Sequence, residues 1–410
     1  MTKEFYFKHH TFHIKAIFTA LNDIFGKKEY SDKAIEKVMR ANKNWDVRER
    51  SFVADVVYDI VRNWRLLCTV SNIDDKLTDK NLWTVFGTYL IFDGYTLPES
   101  KYFKELNEKK IIQRLEKFTK IRKIGESIPD WLDELGEKEL GSNWNKIIKA
   151  LNQPPTVILR TNTLKITPKE LQKKLEEEEN IKDTSLIVWS PDAIELKFPR
   201  NVFRTEAFHQ GLFEVQDAAS QMVSDYLGVQ PGMRVIDACA GAGGKTLHLA
   251  ALMKNKGRII ALDIKQNKLT ELKKRASRAD VRIVEARAID SSKVIKRLKD
   301  TADRLLLDVP CSGLGVLRRN PDSKWKLSLQ EIERLKTIQR ELLVNYSEMT
   351  KVGGRMVYTT CSILPSEGEH QVQWFVEQAG DKWKLVGEKR YSPEIYFADG
   401  FYMALLERIK

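Results

Sequence analysis

From about Gly232 the chain repeats a pattern of strand, turn and helix, and this repetition constrains the fold more than any other feature. Short apolar strands are predicted at five places, with helices in the intervals. These strands are Arg234–Asp237, Arg258–Asp263, Val281–Val284, Arg304–Leu307 and Arg355–Tyr358. Such alternation predicts a doubly wound α/β domain with a mainly parallel sheet. Ligands of such sheets bind at the carboxyl ends of the strands.

A glycine-rich turn, Asp237–Thr246, follows the first of these strands and leads into a helix from about Lys245. Its glycines allow the backbone to turn sharply and to approach a ligand closely. A phosphate-binding loop would need a glycine where Cys239 stands, and a dinucleotide fingerprint would need its third glycine where Thr246 stands. The spacing therefore disfavours an ATPase and a nicotinamide oxidoreductase.

Acidic residues close the neighbouring strands and favour a different cofactor. Asp263 is placed to bind ribose hydroxyls, and Asp290 could reach an adenine amino group. Carboxylates attract a sulfonium cation and repel a pyrophosphate. This set predicts S-adenosylmethionine as the cofactor. The alternative for Asp290 alone is an ordinary strand-end aspartate that caps the next helix.

Two cysteines follow candidate strands, in Asp308-Val309-Pro310-Cys311-Ser312 and Thr359-Thr360-Cys361-Ser362. Methyl transfer to carbon 5 of a pyrimidine needs a thiolate that adds to carbon 6, because carbon 5 of the free base is not nucleophilic. A second group then assists release of the thiol. Asp308 could contact the edge of the base. The two cysteines therefore fit covalent methyl transfer to a pyrimidine, whereas Cys68 and Cys239 fit inert buried thiols better.

The first part of the chain has a different character. Residues 1 to about 125 read as helices, with an apolar stripe in Asp46–Arg62 whose charged residues take the opposite side. Asn152–Pro155 breaks this pattern, and a short α/β module follows, in which Thr167, Pro168 and Glu170 signal a helix start. We expect domains at residues 1–150, 151–230 and 231–410.

Composition limits the partners and the compartment. The formal net charge is +12 and the pI is about 9.2, so the chain attracts polyanions such as RNA or DNA. The sequence contains no apolar run long enough to span a bilayer, and its start lacks the pattern of a secretory signal. The four cysteines match neither a disulfide framework nor a zinc site. We therefore expect a cytoplasmic, metal-free protein without membrane contact.

Four motifs in combination resemble the RNA 5-methylcytosine methyltransferases of the RsmB/Nop2/Sun type. They are Gln216–Gln221, Asp237–Thr246, Asp308–Gly313 and Thr360–Ser362. The resemblance covers about residues 150–410 and implies a Rossmann-like, S-adenosylmethionine-dependent methyltransferase domain with an antiparallel last strand around Asp399–Ala404. More faintly, residues 1–150 resemble a NusB-like RNA-binding domain, and residues 151–230 resemble a small RNA-recognition-like extension.

The resemblance also implies roles for single residues. Cys361 would be the nucleophile, Cys311 would assist product release, and Asp308 would act beside them. Cofactor contacts are implied for Cys239, Ala240, Gly241, Ala242, Gly243, Gly244, Lys245, Asp263, Lys268, Asp290 and Asp308. One departure is that Gly241-Ala242 stand where the family often has Ala-Pro, which loosens the turn but keeps its backbone donors.

The expected activity is cytosine carbon-5 methylation of RNA, with small-subunit ribosomal RNA as substrate and a monomeric enzyme. The alternatives are the same chemistry on tRNA and a non-catalytic RNA-binding factor in ribosome assembly. The basic segment Arg318–Lys326 has two interpretations. It could hold phosphates around a flipped base that stacks on Trp325, or it could be a loop with Trp325 packed inward.

Overall fold

The computed structural model describes residues 3–4, 7–197 and 201–410, with side chains from Phe12 onward in these ranges. Outside the described residues lie 1–2 and 5–6, in the N-terminal segment where no secretory signal is predicted, and 198–200 of the middle module. The chain forms two compact units, one of Met1–Asn152 with Leu317–Leu327 and one of Gln153–Val316 with Ser328–Lys410. No helix of the described part is both long and apolar enough to cross a bilayer.

The first unit is built mainly from helices around an apolar core. Its helices up to residue 152 are α1 (Phe7–Leu21), α2 (Ser31–Ala41), α3 (Val47–Arg62), α4 (Trp64–Ser71), α5 (Asp79–Phe92), α6 (Glu108–Phe118), α7 (Arg122–Gly125), α8 (Asp130–Leu140) and α9 (Trp144–Leu151). The two-residue strands β1 (Lys3–Glu4) and β2 (Tyr95–Thr96) pair in parallel.

Helix α3 carries the stripe that the sequence predicts. Asp46 caps it in a capping box with Glu49, which satisfies backbone N–H groups that the first turn leaves without partners. The predicted apolar residues are buried except Phe52, which is half-buried. The expectation that all charged residues lie on the opposite side is wrong for Arg62. Its guanidinium is buried and donates a hydrogen bond to the Arg318 carbonyl at 3.0 Å, which satisfies part of a polar group that would otherwise be costly to bury.

The basic segment Arg318–Lys326 belongs to this helical unit, and the structure decides between its two interpretations. Trp325 packs inward, and its Nε1 donates to the Val61 carbonyl at 2.8 Å. Lys324 is 2% exposed, and its ammonium donates to the carbonyls of Arg62 and Glu126 and to Oδ1 of Asn152. Neither side chain is therefore placed to stack on a base or hold a phosphate.

After residue 152 the chain alternates strands and helices. The strands are β3 (Val157–Thr161), β4 (Thr184–Leu186), β5 (Ala193–Leu196), β6 (Phe213–Val215), β7 (Arg234–Asp237), β8 (Arg258–Asp263), β9 (Val284–Ala288), β10 (Ala302–Asp308), β11 (Thr350–Thr360), β12 (Trp383–Tyr391) and β13 (Phe401–Arg408). The helices are α10 (Pro168–Glu177), α11 (Glu206–His209), α12 (Ala218–Tyr226), α13 (Gly244–Leu252), α14 (Gln266–Arg278), α15 (Ser292–Lys296), α16 (Ser323–Lys326), α17 (Leu329–Ser347), α18 (Glu369–Ala379) and α19 (Pro393–Tyr396).

The first four of these strands form a small antiparallel sheet in the order β4-β5-β3-β6. Helix α10 packs on it and starts at the predicted place. Thr167 and Glu170 form a capping box, and Pro168 occupies the first turn, where its missing N–H costs nothing.

The large sheet has the order β12-β13-β11-β10-β7-β8-β9. Its strands β11, β10, β7, β8 and β9 are parallel, and β13 is antiparallel to β11. The chain runs outward from β7 to β9 and then returns to place β10 on the other side of β7. This reversal creates a switch point between β7 and β10, where open α/β sheets bind ligands. The predicted doubly wound α/β fold is therefore confirmed.

One strand lies later than predicted. The sequence predicts the third strand over Val281–Val284, but β9 starts at Val284. Asp280 adopts a left-handed conformation with φ of 57°, and the Val281 N–H bonds the Ala276 carbonyl at 2.9 Å, so Val281 still closes the end of α14. Val281 and Ile283 pack against the core, and the Ile283 carbonyl accepts a hydrogen bond from the Ile259 N–H of β8 at 2.8 Å, directly before β9 begins.

Replacement of Lys324 tests the burial of the basic segment. We expect Lys324→Ala to lower the free energy of unfolding by about 2 kcal/mol or more, because three buried or half-buried oxygens lose their donor. Urea unfolding measures this. Lys138→Ala, at an exposed site on α8, serves as the control and stays within about 0.5 kcal/mol of the parent. Equal stability of the two variants would contradict the assignment.

Candidate active site

The glycine-rich turn connects β7 to α13 at the switch point of the large sheet. Gly243 has φ of 86°, and a Cβ there would lie 2.6 Å from Cγ of Leu272, so both conformation and space require glycine. Gly241 also has a positive φ, of 54°, but faces open space. The turn therefore combines a tightly packed glycine with an open one on its ligand-accessible side.

Asp263, at the carboxyl end of β8, holds this turn in place. Its Oδ2 accepts a hydrogen bond from the Gly241 N–H at 2.9 Å, and its Oδ1 accepts one from the Lys265 N–H at 2.7 Å. The residue is half-buried, and each carboxylate oxygen retains a further acceptor position. Asp263 can therefore support the turn and accept hydroxyl groups of a ligand at the same time.

Asp237, at the end of β7, is buried below the turn. Its Oδ2 accepts a hydrogen bond from the Thr246 hydroxyl at 2.6 Å. Burial raises its pKa to about 7, although the Thr246 hydrogen bond opposes this shift. The side chain thus fastens the start of α13 to the strand and is not placed to meet a ligand.

Lys245 and Asp308 form an ion pair across the switch point. Nζ of Lys245 lies 2.7 Å from Oδ2 of Asp308 and 5.2 Å from the centre of the Phe401 ring. Burial lowers the pKa of Lys245, but the Asp308 carboxylate outweighs it, and the pKa is raised. The turn is therefore connected to the end of β10 by a charge-assisted hydrogen bond.

The two predicted catalytic cysteines lie in contact. Strands β10 and β11 are parallel neighbours with Asp308 opposite Thr359, and the loops beyond them bring Sγ of Cys311 to 3.4 Å from Sγ of Cys361. Both are free thiols and both are half-buried. The hydrogen bond to Cys361, burial and the charges of Cys361 and Glu367 raise the pKa of the Cys311 thiol well above its ordinary value.

A buried carboxylate lies behind this pair and was missed in the sequence. Glu367 accepts hydrogen bonds from the Ser312 N–H at 2.8 Å and from the Ser312 and Ser362 hydroxyls. Gln339 of α17 donates to the same carboxylate at 3.0 Å. Each serine directly follows one of the cysteines. No sequence motif marks Glu367, and only its closeness to Cys361 in the chain could have drawn attention to it.

Two arginines that donate hydrogen bonds to carbonyls of the glycine-rich turn were also missed in the sequence. Arg160 of β3 is buried and donates to the Gly244 carbonyl and to Gln216, and Arg275 of α14 donates to the Ala242 carbonyl at 2.8 Å. Glu214 of β6 pairs with Arg275. An arginine inside an apolar strand such as β3 was the available signal, because buried charges need partners.

The remaining predicted residues are less closely connected. Cys239 and Ala240 lie in the turn, and burial raises the pKa of the Cys239 thiol. Lys268, on α14, and Asp290, after β9, are exposed, and among the described residues no hydrogen bond or ion pair joins their side chains to the turn. Cys68 lies in the helical unit, where burial raises its pKa to about 12. The described residues contain no cluster able to ligate a metal.

The donor set fits the predicted cofactor. The glycine-rich turn lets the backbone approach a ligand, and the Asp263 carboxylate keeps acceptor positions for hydroxyl groups. The Asp308 carboxylate lies nearby. Such groups suit a nucleoside that carries a cation. A doubly wound sheet with such a site at its switch point fits the class of S-adenosylmethionine-dependent methyltransferases, and S-adenosylmethionine is the cofactor of that class.

Comparisons with known proteins identify the family. Residues 225–407 match the family described as 16S rRNA methyltransferase RsmB/F, and residues 128–203 match the ferredoxin-like domain of RsmF/B-like methyltransferases. The probable ribosomal RNA small subunit methyltransferase B of Synechocystis is 29% identical over 95% of this chain and 98% of its own length. The ribosomal RNA small subunit methyltransferase B of Vibrio cholerae is 33% identical over 68% of this chain and 65% of its own length.

A solved structure agrees with these matches. The crystal structure of PH0851 superposes with a TM-score of 0.81 at 26% identity, covering 97% of this chain and 98% of that one. The chain therefore belongs to the RsmB/F family of RNA methyltransferases. The resemblance expected from its motifs is confirmed.

Replacement of Asp263 tests the cofactor site. We expect Asp263→Ala to raise the dissociation constant for S-adenosylmethionine roughly tenfold or more, because hydrogen bonds to a charged group contribute about 1.5–3 kcal/mol. Isothermal titration calorimetry measures this. Glu285→Ala removes a carboxylate from the edge strand β9, where it pairs with Arg258, and leaves the constant unchanged. Unchanged binding by the Asp263 variant would remove this residue from the site.

Proposed function

We propose that this chain methylates carbon 5 of a cytosine in small-subunit ribosomal RNA through a covalent cysteine–cytosine adduct. The observation that carries the proposal is the 3.4 Å contact between Sγ of Cys311 and Sγ of Cys361, beside the Lys245–Asp308 ion pair. Transfer to an exocyclic nitrogen or to oxygen would need no thiolate. Two thiols at the cofactor-binding edge of the sheet therefore favour transfer to a ring carbon.

The proposed first step assigns Cys361 as the nucleophile. Its thiolate forms a bond to carbon 6, and the electron pair of the carbon 5–carbon 6 double bond moves to carbon 5. S-adenosylmethionine supplies the electrophilic methyl group that carbon 5 then accepts, and it would leave as the thioether S-adenosylhomocysteine. Asp308 lies three residues before Cys311 and contacts the edge of the base, while Lys245 neutralises part of its charge.

The proposed second step assigns release to Cys311. Its thiolate takes the proton from carbon 5, the double bond re-forms, and Cys361 leaves as a thiolate. The environment supports this order. The hydrogen bond to Cys361, burial and the charges of Cys361 and Glu367 raise the pKa of the Cys311 thiol well above its ordinary value, so Cys311 is a thiol during the first step. After methyl transfer the half-buried Cys311 gives its proton to solvent, and the resulting thiolate takes the proton of carbon 5.

RNA as substrate follows from the family, and the choice of ribosomal RNA is supported by the names of the relatives. The net charge of +12 favours a polyanionic partner. We propose residues 1–150 as an RNA-binding domain, residues 151–230 as an RNA-recognition-like extension and residues 231–410 as the catalytic domain. Within the last range, Leu317–Leu327 belongs to the helical unit.

Replacement of each cysteine by alanine is expected to have a different effect on the reaction. Cys361→Ala abolishes methyl transfer, because no thiolate adds to the base, whereas Cys311→Ala accumulates a covalent protein–RNA adduct, because release is blocked. Denaturing gels with labelled RNA and a methyl-transfer assay distinguish the two. Cys68→Ala, in the core of the helical unit, is the matched cysteine control and keeps activity. A Cys311→Ala variant that forms no adduct with good substrate would refute these roles.

The substrate is tested in cells. Bisulfite sequencing of total RNA, with and without the gene, reads each 5-methylcytosine as a protected cytosine. We expect one or more protected positions in small-subunit ribosomal RNA to disappear with the gene and to return with the parent chain but not with Cys361→Ala. Loss confined to tRNA would overturn the ribosomal assignment. An unchanged map of all RNAs would overturn the proposed activity.

A further inference from the structure

Glu367 is a carboxylate that the reaction does not use, although it lies directly behind both cysteines. It is 0% exposed, and it has no basic side chain among its described partners. Four hydrogen bonds satisfy its two oxygens. Burial of a carboxylate without a cation is costly even when its hydrogen bonds are complete. Apolar side chains could fill the same space, so a purely structural role would not need a carboxylate. The presence of Glu367 therefore indicates that the site requires its hydrogen bonds.

The partners of Glu367 define that requirement. Ser312 follows Cys311, and Ser362 follows Cys361. The Ser312 hydroxyl accepts from the Leu314 N–H at 3.4 Å, and the Ser362 hydroxyl accepts from the Leu364 N–H at 3.1 Å. Each serine therefore folds its own loop and at the same time donates its hydroxyl hydrogen to the shared carboxylate. One carboxylate thus connects the two loops that carry the sulfur atoms.

Glu367 is itself held by two elements of the large sheet's layer. The Tyr358 hydroxyl of β11 donates to its backbone carbonyl at 2.8 Å. Gln339 of α17 donates to its carboxylate and also, at 3.1 Å, to the carbonyl of Pro310, which precedes Cys311. These hydrogen bonds fix the position of the Glu367 carboxylate, and the carboxylate in turn positions the two serine hydroxyls.

We infer that Glu367 is a positioning residue that sets the contact between Cys311 and Cys361 by binding the serine after each cysteine. The inference rests on the proposed function for the use of that contact, but the contact can be measured without methyl transfer. The variant Glu367→Ala leaves both serine hydroxyls without their acceptor, and the loops separate. Glu367→Gln keeps one oxygen and can donate its amide to the serine oxygens, so it retains most of the arrangement.

Disulfide trapping measures the contact directly. Diamide oxidises two neighbouring thiols: the sulfur atoms form one bond, and two electrons and two protons pass to diamide, which becomes the hydrazine. The full chain is treated without RNA or cofactor, and peptide mapping by mass spectrometry quantifies the Cys311–Cys361 disulfide. We expect Glu367→Ala to form it about tenfold more slowly than the parent and Glu367→Gln within about threefold of the parent, because exchange rates depend on access and approach of the sulfur atoms.

A control separates positioning from loss of stability. Thr359→Val removes a buried hydroxyl that donates to the Tyr402 carbonyl at 2.7 Å, two residues before Cys361, and leaves the serines untouched. It is expected to lower stability but to trap the disulfide at the parent rate. Trapping by Glu367→Ala at the parent rate, or equal slowing by Glu367→Ala and Thr359→Val, would overturn the inference.

Activity provides the second readout. Glu367→Ala is expected to lower kcat about 100-fold, the loss typical of a displacement of about 1 Å, while the dissociation constant for S-adenosylmethionine stays within about twofold. If Cys311→Ala gives no adduct but Glu367→Ala still slows trapping, the proposed function fails and the positioning role stands. If Cys311→Ala forms the adduct but Glu367→Ala forms the disulfide at the parent rate, the proposed function stands and the positioning role fails.

Discussion

The parallel pairing of β10 with β11 decides where this chain can do chemistry. Because both strands run in the same direction, their carboxyl ends lie at one edge of the sheet, and the register places Asp308 opposite Thr359. The loops that follow bring the two sulfur atoms together beside the glycine turn of β7. A slip of one residue would turn Thr359 and its neighbours to the other face of the sheet. The fold and the candidate reaction therefore depend on the same register.

The candidate active site has charged side chains on both sides of the Cys311–Cys361 pair. Lys245 and Asp308 neutralise each other on the cofactor side, and Lys245 is close enough to Cys361 for their charges to interact. Glu367 lies on the inner side, behind both thiols, and its partners among the described residues are uncharged donors. The pair of thiols therefore has a cation on one side and a buried carboxylate on the other. Such an arrangement suits two cysteines with different tasks.

Local signals were sufficient for much of the fold. The glycine turn, the capping box of Thr167 and Glu170 and the apolar stripe of α3 each depend on residues within a few positions of one another, and all three are present. The start of β9 was predicted three residues early, because Val281 closes the end of α14 and Val281 and Ile283 pack against the core just before the strand begins. Apolar character alone does not distinguish these uses from a strand.

What the sequence could not predict are the buried polar groups whose partners are distant in the chain. Lys324 reads as part of a basic loop, yet its ammonium is enclosed by oxygens of Arg62, Glu126 and Asn152. Arg160 bonds a carbonyl of the cofactor turn, 84 positions along the chain. Charge in a sequence indicates solvent exposure only on average, because a buried charge is stable when tertiary structure supplies its partners. The net charge of +12 therefore overstates the positive surface offered to RNA, and the residues that attract it have to be sought among the exposed ones.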